Sequence, residues 1–240
     1  MNFELTEERQ MLQDGLRRLL QDSYTSAAHA EIATSDTGFS PDIWNDLADM
    51  GVIGALFSED EGGFAGAGFD LALVCEEMGR VGAVDPLIDT AILGGSLIVS
   101  LGDDAQKKLV NDVVSGSIHL AFAHTEPASR YELERVETTA TRGENGYVLN
   151  GRKAVVCNAP TAGFLVVSAR TAGSIADRDG ISLFLVPAKK EGMAVRNYPL
   201  VGGGQAAEIT FDNTALDSSA LIGNEGGAYD AIAAVNAKAV

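Results

Sequence analysis

Cysteine is scarce in this 240-residue chain. Only Cys75 and Cys157 occur, with three histidines and no metal-ligand spacing. That excludes a disulfide framework, leaves no metal signature, and suits a reducing cytoplasm. Basic residues are also few, 17 Lys and Arg against 34 Asp and Glu, for a formal net charge of −17. A nucleic-acid partner would need a basic footprint, so none is expected. No uninterrupted apolar run approaches the roughly 20 residues that span a bilayer. The opening MNFELTEERQ is acidic and polar, unlike a signal peptide. The expectation is a soluble cytoplasmic protein with no membrane association.

What is present is apolar and unevenly charged. Hydrophobic residues make up 46% of the chain, ample for a buried core. The length fits one large domain or two ordinary ones. Residues 1–120 hold 21 Asp and Glu against 6 Lys and Arg, and residues 121–240 hold 13 against 11. An anionic ligand meets far less repulsion in the second half. Most acidic side chains of the first half are expected to be solvated helix faces.

The first half reads as helices. Leu12, Leu16, Leu19 and Leu20 recur at helical spacing behind Thr6, a predicted N-cap. Ser40-Pro41-Asp42 combines a capping hydroxyl, a proline at the first helical position and an acid at the positive dipole end. That helix carries Ile43, Trp44, Leu47 and Met50 and stops at Gly51. The glycine-rich run from Gly62 to Gly68 leads into a helix with Leu71, Val74, Cys75 and Met78. Pro86 to Leu101 is predicted as an apolar helix interrupted by Gly94-Gly95. Asp103 and Gln106 form a capping box for a helix ending near Gly116.

After residue 120 the periodicity becomes that of strands, with predicted strands at 147–149, 164–168, 181–186 and 208–211. Turns are expected at Glu144-Asn145-Gly146, Asn150-Gly151, Asp179-Gly180 and Glu191-Gly192. Helices followed by short strands predict an α+β chain with segregated domains. Their bounds are 1–120 helical, 121–223 strand-rich, and 224–240 the start of a further helical unit. The tail helix has no C-cap signal, so it is expected to continue into sequence not present, the alternative being a short fraying tail.

Ordered along this frame are AFAHTEP at Ala121–Pro127, TTATRGENGYVLNGRK at 138–153, Asn158-Ala159, FLVVSAR at 164–170 and AAEITFDNTALDSSALIGNEGGA at 206–228. The set resembles the acyl-CoA dehydrogenases, in particular the small subunit of pimeloyl-CoA-type enzymes, over essentially all 240 residues. The resemblance implies an N-terminal helical domain, an antiparallel β-barrel and a C-terminal helical bundle that is largely missing here. It also implies FAD as cofactor, an acyl-CoA substrate, electron-transferring flavoprotein as acceptor, and a homo- or hetero-oligomer of homologous subunits. The reaction removes an α-proton by a carboxylate and passes the β-hydrogen as hydride to flavin. No residue here matches the family's base, and Glu126 is not one; no catalytic residue is assigned.

By the same resemblance, Phe122, His124 and Thr125 lie at the strand end facing the flavin. Thr125 offers it a hydroxyl and a backbone N–H. His124 lies near the ring or thioester, or else at the solvent edge. Val155, Val156 and Cys157 stand where the family has an aromatic, an aliphatic and a hydroxyl residue, so ring stacking and a strong donor are lost. Arg130-Tyr131 replace a Gly-Ser pair that approaches the pyrophosphate. They are expected to serve the FAD or CoA phosphates, or to be a surface arginine packed on a tyrosine ring. Ile92, Leu93 and Ser96 lie where the acyl tail enters, Gly94-Gly95 providing either pocket space or close packing. The alternative to a catalytic subunit is a structural one in a heteromeric dehydrogenase.

Overall fold

The computed structural model describes residues 5–66 and 68–240, so positions 1–4 and Ala67 of the glycine-rich run lie outside it. Helix α1 (Glu7–Ser23) starts where Thr6 accepts from the Arg9 N–H, and α3 (Pro41–Asp49) where Ser40 accepts from Ile43. Between them is α2 (Ser26–Thr34), and α4 (Gly68–Val81) follows the glycine-rich loop. Buried Leu16, Leu20, Trp44, Leu47 and Val74 form one core with residues of the later elements.

Two acidic residues of α4 depart from the solvated-face expectation. Asp70 and Glu77 are buried, and both take forked arginine pairs from α1. Arg9 reaches Asp70 at 2.6 and 3.1 Å, and Arg17 reaches Glu77 at 2.9 and 2.6 Å. Planar guanidinium–carboxylate forks fix orientation as well as distance. They join α1 to α4.

The segment expected to break at Gly94-Gly95 does not break. A π-helix at Ile88–Gly95 runs directly into α5 (Ser96–Leu101). A Cβ on Gly94 would stand 2.8 Å from the Leu120 side chain, and one on Gly95 2.7 Å from the Phe57 ring. The glycines therefore serve close packing. Asp103 and Gln106 close their capping box at α6 (Asp104–Lys107), which is followed by α7 (Leu109–Val114).

Strands β1 (Leu120–Ala123), β2 (Thr139–Arg142), β3 (Gly146–Cys157), β4 (Phe164–Arg170), β5 (Ile181–Pro187), β6 (Met193–Pro199), β7 (Gln205–Asp217) and β8 (Leu221–Ile222) form one sheet. The order is β6-β7-β3-β2-β4-β5-β8, with β1 pairing β4 off this path. It is mostly antiparallel, but β1 and β2 each run parallel to β4. Asn150-Gly151 is not a turn. It lies inside β3 at a register shift against β7, because a Cβ on Gly151 would meet Thr138 at 2.6 Å. The other three expected turns occur. Finally, α8 (Tyr229–Ala239) buries Ile232 and Val235 in the core shared with the helices.

Helices and sheet share one apolar core, to which Leu120, Phe122, Val166 and Leu183 contribute, and specific hydrogen bonds add to it. Thr90 exchanges hydrogen bonds with both main-chain groups of Leu120, at 3.1 and 3.2 Å. Asn158 donates to Asp89 at 2.8 Å, and Gln106 to the carbonyls of Ser219 and Leu221. The start of β1 is thus held from the helical side.

Candidate functional site

Thr125 follows β1 with an exposed side chain. Its carbonyl accepts from the Ala154 N–H at 2.8 Å, which ties the strand end to β3. Here β3 bulges. Its register against β7 shifts between Lys153 and Val156, and Val155 takes φ 51°. A left-handed conformation is a genuine outlier for a β-branched residue. Its effect is to show Val155, about half exposed, while Lys153 and Val156 point into the interior at 0% and 1% exposure. Thr125, Val155 and the half-buried Cys157 are thus the accessible residues of this β1–β3 junction, with Tyr198 beside Val155 and Cys157. Burial, with the Asp89 charge nearby, pushes the Cys157 thiol up to about 11. It is a neutral thiol at physiological pH, not a nucleophile.

Behind this face is a buried polar cluster. Glu126 accepts from the backbone N–H groups of Glu137 and Thr138 at 2.7 and 3.0 Å and pairs with Lys153 at 2.6 Å. Burial alone would raise its pKa, but the Lys153 ammonium and these hydrogen bonds outweigh burial and lower it. Fixed as an anion with its oxygens engaged, Glu126 organises the turn. His124 is not at the solvent edge. It is 7% exposed, stacked on Phe122 at 5.2 Å, and its Nδ1 lies 2.9 Å from the Ser168 hydroxyl. Burial first, and the Lys153 charge second, hold its pKa near 3.

Lys153 donates to Ser168 Oγ at 3.0 Å, so the Ser168 hydroxyl is free to donate to His124 Nδ1. The Nε2 proton is left for the backbone hydrogen bond with Leu133. The segment that supplies Leu133 is itself pinned. Arg170, buried, donates to the carbonyls of Glu134, Val136, Ile175, Asp177 and Asp179. Neither Arg170 nor Lys153 was singled out from sequence. Lys153 follows Arg152 in β3 and Arg170 closes β4, so neither stood out by pattern.

Arg130 takes φ 51°, the conformation a glycine there would favour, and its side chain is exposed. Tyr131 is 99% exposed, so the pair is not an arginine packed on a ring. Ile92 is buried, Leu93 packs on the core, and Ser96 returns its hydroxyl to the Ala91 carbonyl at 3.5 Å. Ile92 and Leu93 lie on the same π-helix as Asp89, which accepts from Asn158 next to Cys157. Among the described residues no cluster of His, Cys, Asp or Glu could hold a metal, and no helix is long and apolar enough to cross a membrane.

Comparison with known proteins bears on the family and the fold. Residues 6–117 match the family model for the acyl-CoA dehydrogenase N-terminal domain, and residues 121–214 that for its middle domain. A probable acyl-CoA dehydrogenase of Bacillus subtilis, YngJ, is 29% identical over 93% of this chain and 60% of its own length. Benzylmalonyl-CoA dehydrogenase of Aromatoleum aromaticum is 29% identical over 95% and 60%. Butyryl-CoA dehydrogenase of Megasphaera elsdenii superposes with a TM-score of 0.84 at 25% identity, covering 100% of this chain and 64% of that one. The FAD complex of PigA gives 0.85 at 25%, covering 100% and 63%. The chain thus spans about 60% of the length of the curated relatives it matches. With both domain families matched in order and the fold shared, the chain belongs to the acyl-CoA dehydrogenase family.

Proposed function

We propose that the protein carrying this chain oxidises the Cα–Cβ bond of an acyl-CoA thioester with FAD, and that the face of Thr125, Val155 and Cys157 meets the flavin. One observation carries the reading: the end of β1 and the bulge of β3 together expose a donor-bearing edge where the chain's own hydrogen bonding stops. Thr125 has a hydroxyl and an N–H with no partner among the described residues. Both suit the pyrimidine edge of a flavin. Cys157 adds a weak neutral donor, and Val155 an apolar contact without ring stacking. Arg130 supplies a cation for the FAD or CoA phosphates.

FAD supplies hydride acceptance. This chain's part is to hold and orient the ring, because Glu126 is committed to Lys153 and two N–H groups, and Asp89, beside Cys157, accepts from the Asn158 amide. The α-proton must go to a base elsewhere in the protein or in a partner subunit. Electron-transferring flavoprotein is the proposed acceptor, and a homo- or hetero-oligomer of homologous subunits the proposed assembly. The benzylmalonyl- and butyryl-CoA names of two relatives support a CoA thioester as the substrate class.

The test is anaerobic. The full protein, purified with any homologous neighbouring subunit, is mixed with straight-chain and aromatic acyl-CoA thioesters while flavin absorbance is followed. Bleaching by at least one thioester is expected. No flavin, or no bleaching with any thioester together with no reduction of an artificial acceptor, overturns the proposal. A second reading, a structural subunit in a heteromeric dehydrogenase, is favoured by the buried Phe122–His124 stack and the missing aromatic at Val155. A stoichiometric flavin band in this subunit purified alone would exclude it.

A further inference from the structure

A buried ammonium stands directly behind the exposed strand end. Lys153 Nζ lies 2.6 Å from Glu126 Oε1, 3.0 Å from Ser168 Oγ and 3.2 Å from the main-chain oxygen of His124. Three acceptors meet three N–H bonds, the full complement of a charged lysine. The third acceptor matters most. The His124 carbonyl belongs to the same peptide unit as the Thr125 N–H. A cation on that oxygen draws density through the amide and strengthens the N–H as a donor, as hydrogen bonds in series polarise one another. That N–H has no partner among the described residues, whereas the next carbonyl, that of Thr125, is taken by Ala154.

The neighbouring anion does not cancel the effect. Both Glu126 oxygens also accept backbone N–H groups, from Glu137 and Thr138, so its charge is spread away from the His124 carbonyl. Burying an ion pair is costly compared with an apolar pair of similar volume. A lysine at 0% exposure is therefore a costly way merely to close a turn.

We infer that Lys153 is a positioning residue that polarises the His124–Thr125 peptide and makes its N–H a strong donor to the electron-rich edge of a bound heterocycle. The identity of that heterocycle as flavin rests on the function proposed above; the polarised peptide does not.

The sequence permits a selective test. His124-Thr125 is its sole His–Thr step, so the full chain labelled with carbonyl-13C histidine and 15N threonine gives one carbonyl-coupled amide. Glu126→Gln, which keeps the ammonium on the carbonyl, is the reference for the neutral pair Lys153→Met with Glu126→Gln. On removing the ammonium, the His124 carbonyl carbon and the Thr125 amide should both move upfield while the other threonine amides keep their dispersion. FAD, titrated by fluorescence quenching, should bind about tenfold more weakly to the neutral pair, the scale of one charge-assisted hydrogen bond. A folded neutral pair with an unmoved signal overturns the inference, as does a moved signal with FAD binding unchanged. A moved signal in a chain that takes up no FAD upholds the polarised donor and sinks the flavin reading alone. Should the methionine variant not fold, Lys153→Gln with Glu126→Gln must show a smaller shift in the same direction, and no shift overturns the inference.

Discussion

Val155 and Arg130 each hold a left-handed backbone, at φ 51°, that a side chain beyond glycine disfavours by roughly 1–2 kcal/mol. Strain of this kind persists where the surroundings fix it and gathers at ligand sites. Val155→Gly should therefore raise stability in urea unfolding, or leave it level where the gain offsets added chain entropy, while removing the apolar contact that Val155 gives the face. Val155→Trp asks a different question. An exposed ring there should tighten FAD binding by about two- to tenfold, the scale of an aromatic stack; unchanged affinity in the folded variant would place the flavin elsewhere. Arg130→Gly relaxes the same backbone strain but removes the cation. FAD or CoA binding should weaken at low salt, and the difference from wild type should shrink as salt rises.

At the scale of elements, β3 is the most informative. Gly151 has φ 149° and faces the Thr138 backbone, so Gly151→Ala forces β2 or β3 to shift. A loss of about 2–3 kcal/mol in urea unfolding is expected from overpacking of this kind. Asn150-Gly151 reads as a turn because that dipeptide is the strongest short hairpin signal. In the fold its glycine instead admits a crossing backbone, which only the tertiary structure reveals. Local signals were legible: Thr6, Ser40-Pro41 and the Asp103–Gln106 box each cap the helix they precede. The exposed Thr125 was legible too, through the strand end and the Glu-Pro that follows it. Asp70, Glu77, Lys153 and Arg170 were not. Their partners lie far away in sequence or are backbone carbonyls, so no spacing rule exposes them.

For the whole molecule, two buried groups give stability opposing pH slopes. Burial raises Asp85 to about 6, with one oxygen accepting from the Tyr24 hydroxyl and the other buried with no partner among the described residues. The native state then binds more protons than the unfolded chain between about pH 4 and 6, so Asp85 adds stability as pH falls through that window. His124, held near 3, does the reverse. Its unfolded form takes up a proton below about 6.5 and stability is lost on acidification. Between pH 6 and 4 the two largely offset each other. Asp85→Asn removes one slope, so its stability should fall up to about 1.4 kcal/mol per pH unit faster than wild type over that window. Parallel urea-unfolding profiles at pH 6, 5 and 4 would show that Asp85 does not titrate there.

The proposed flavin contact at Thr125 is tested most directly by equilibrium titration with FAD. The full chain, together with its native subunit partners, is compared with Thr125→Ala under identical conditions. The expected result is saturable binding of one FAD per chain by the wild type, weakened about tenfold or more in Thr125→Ala with unfolding in urea unchanged. Saturable binding that the substitution leaves untouched, or no binding at all, would contradict it.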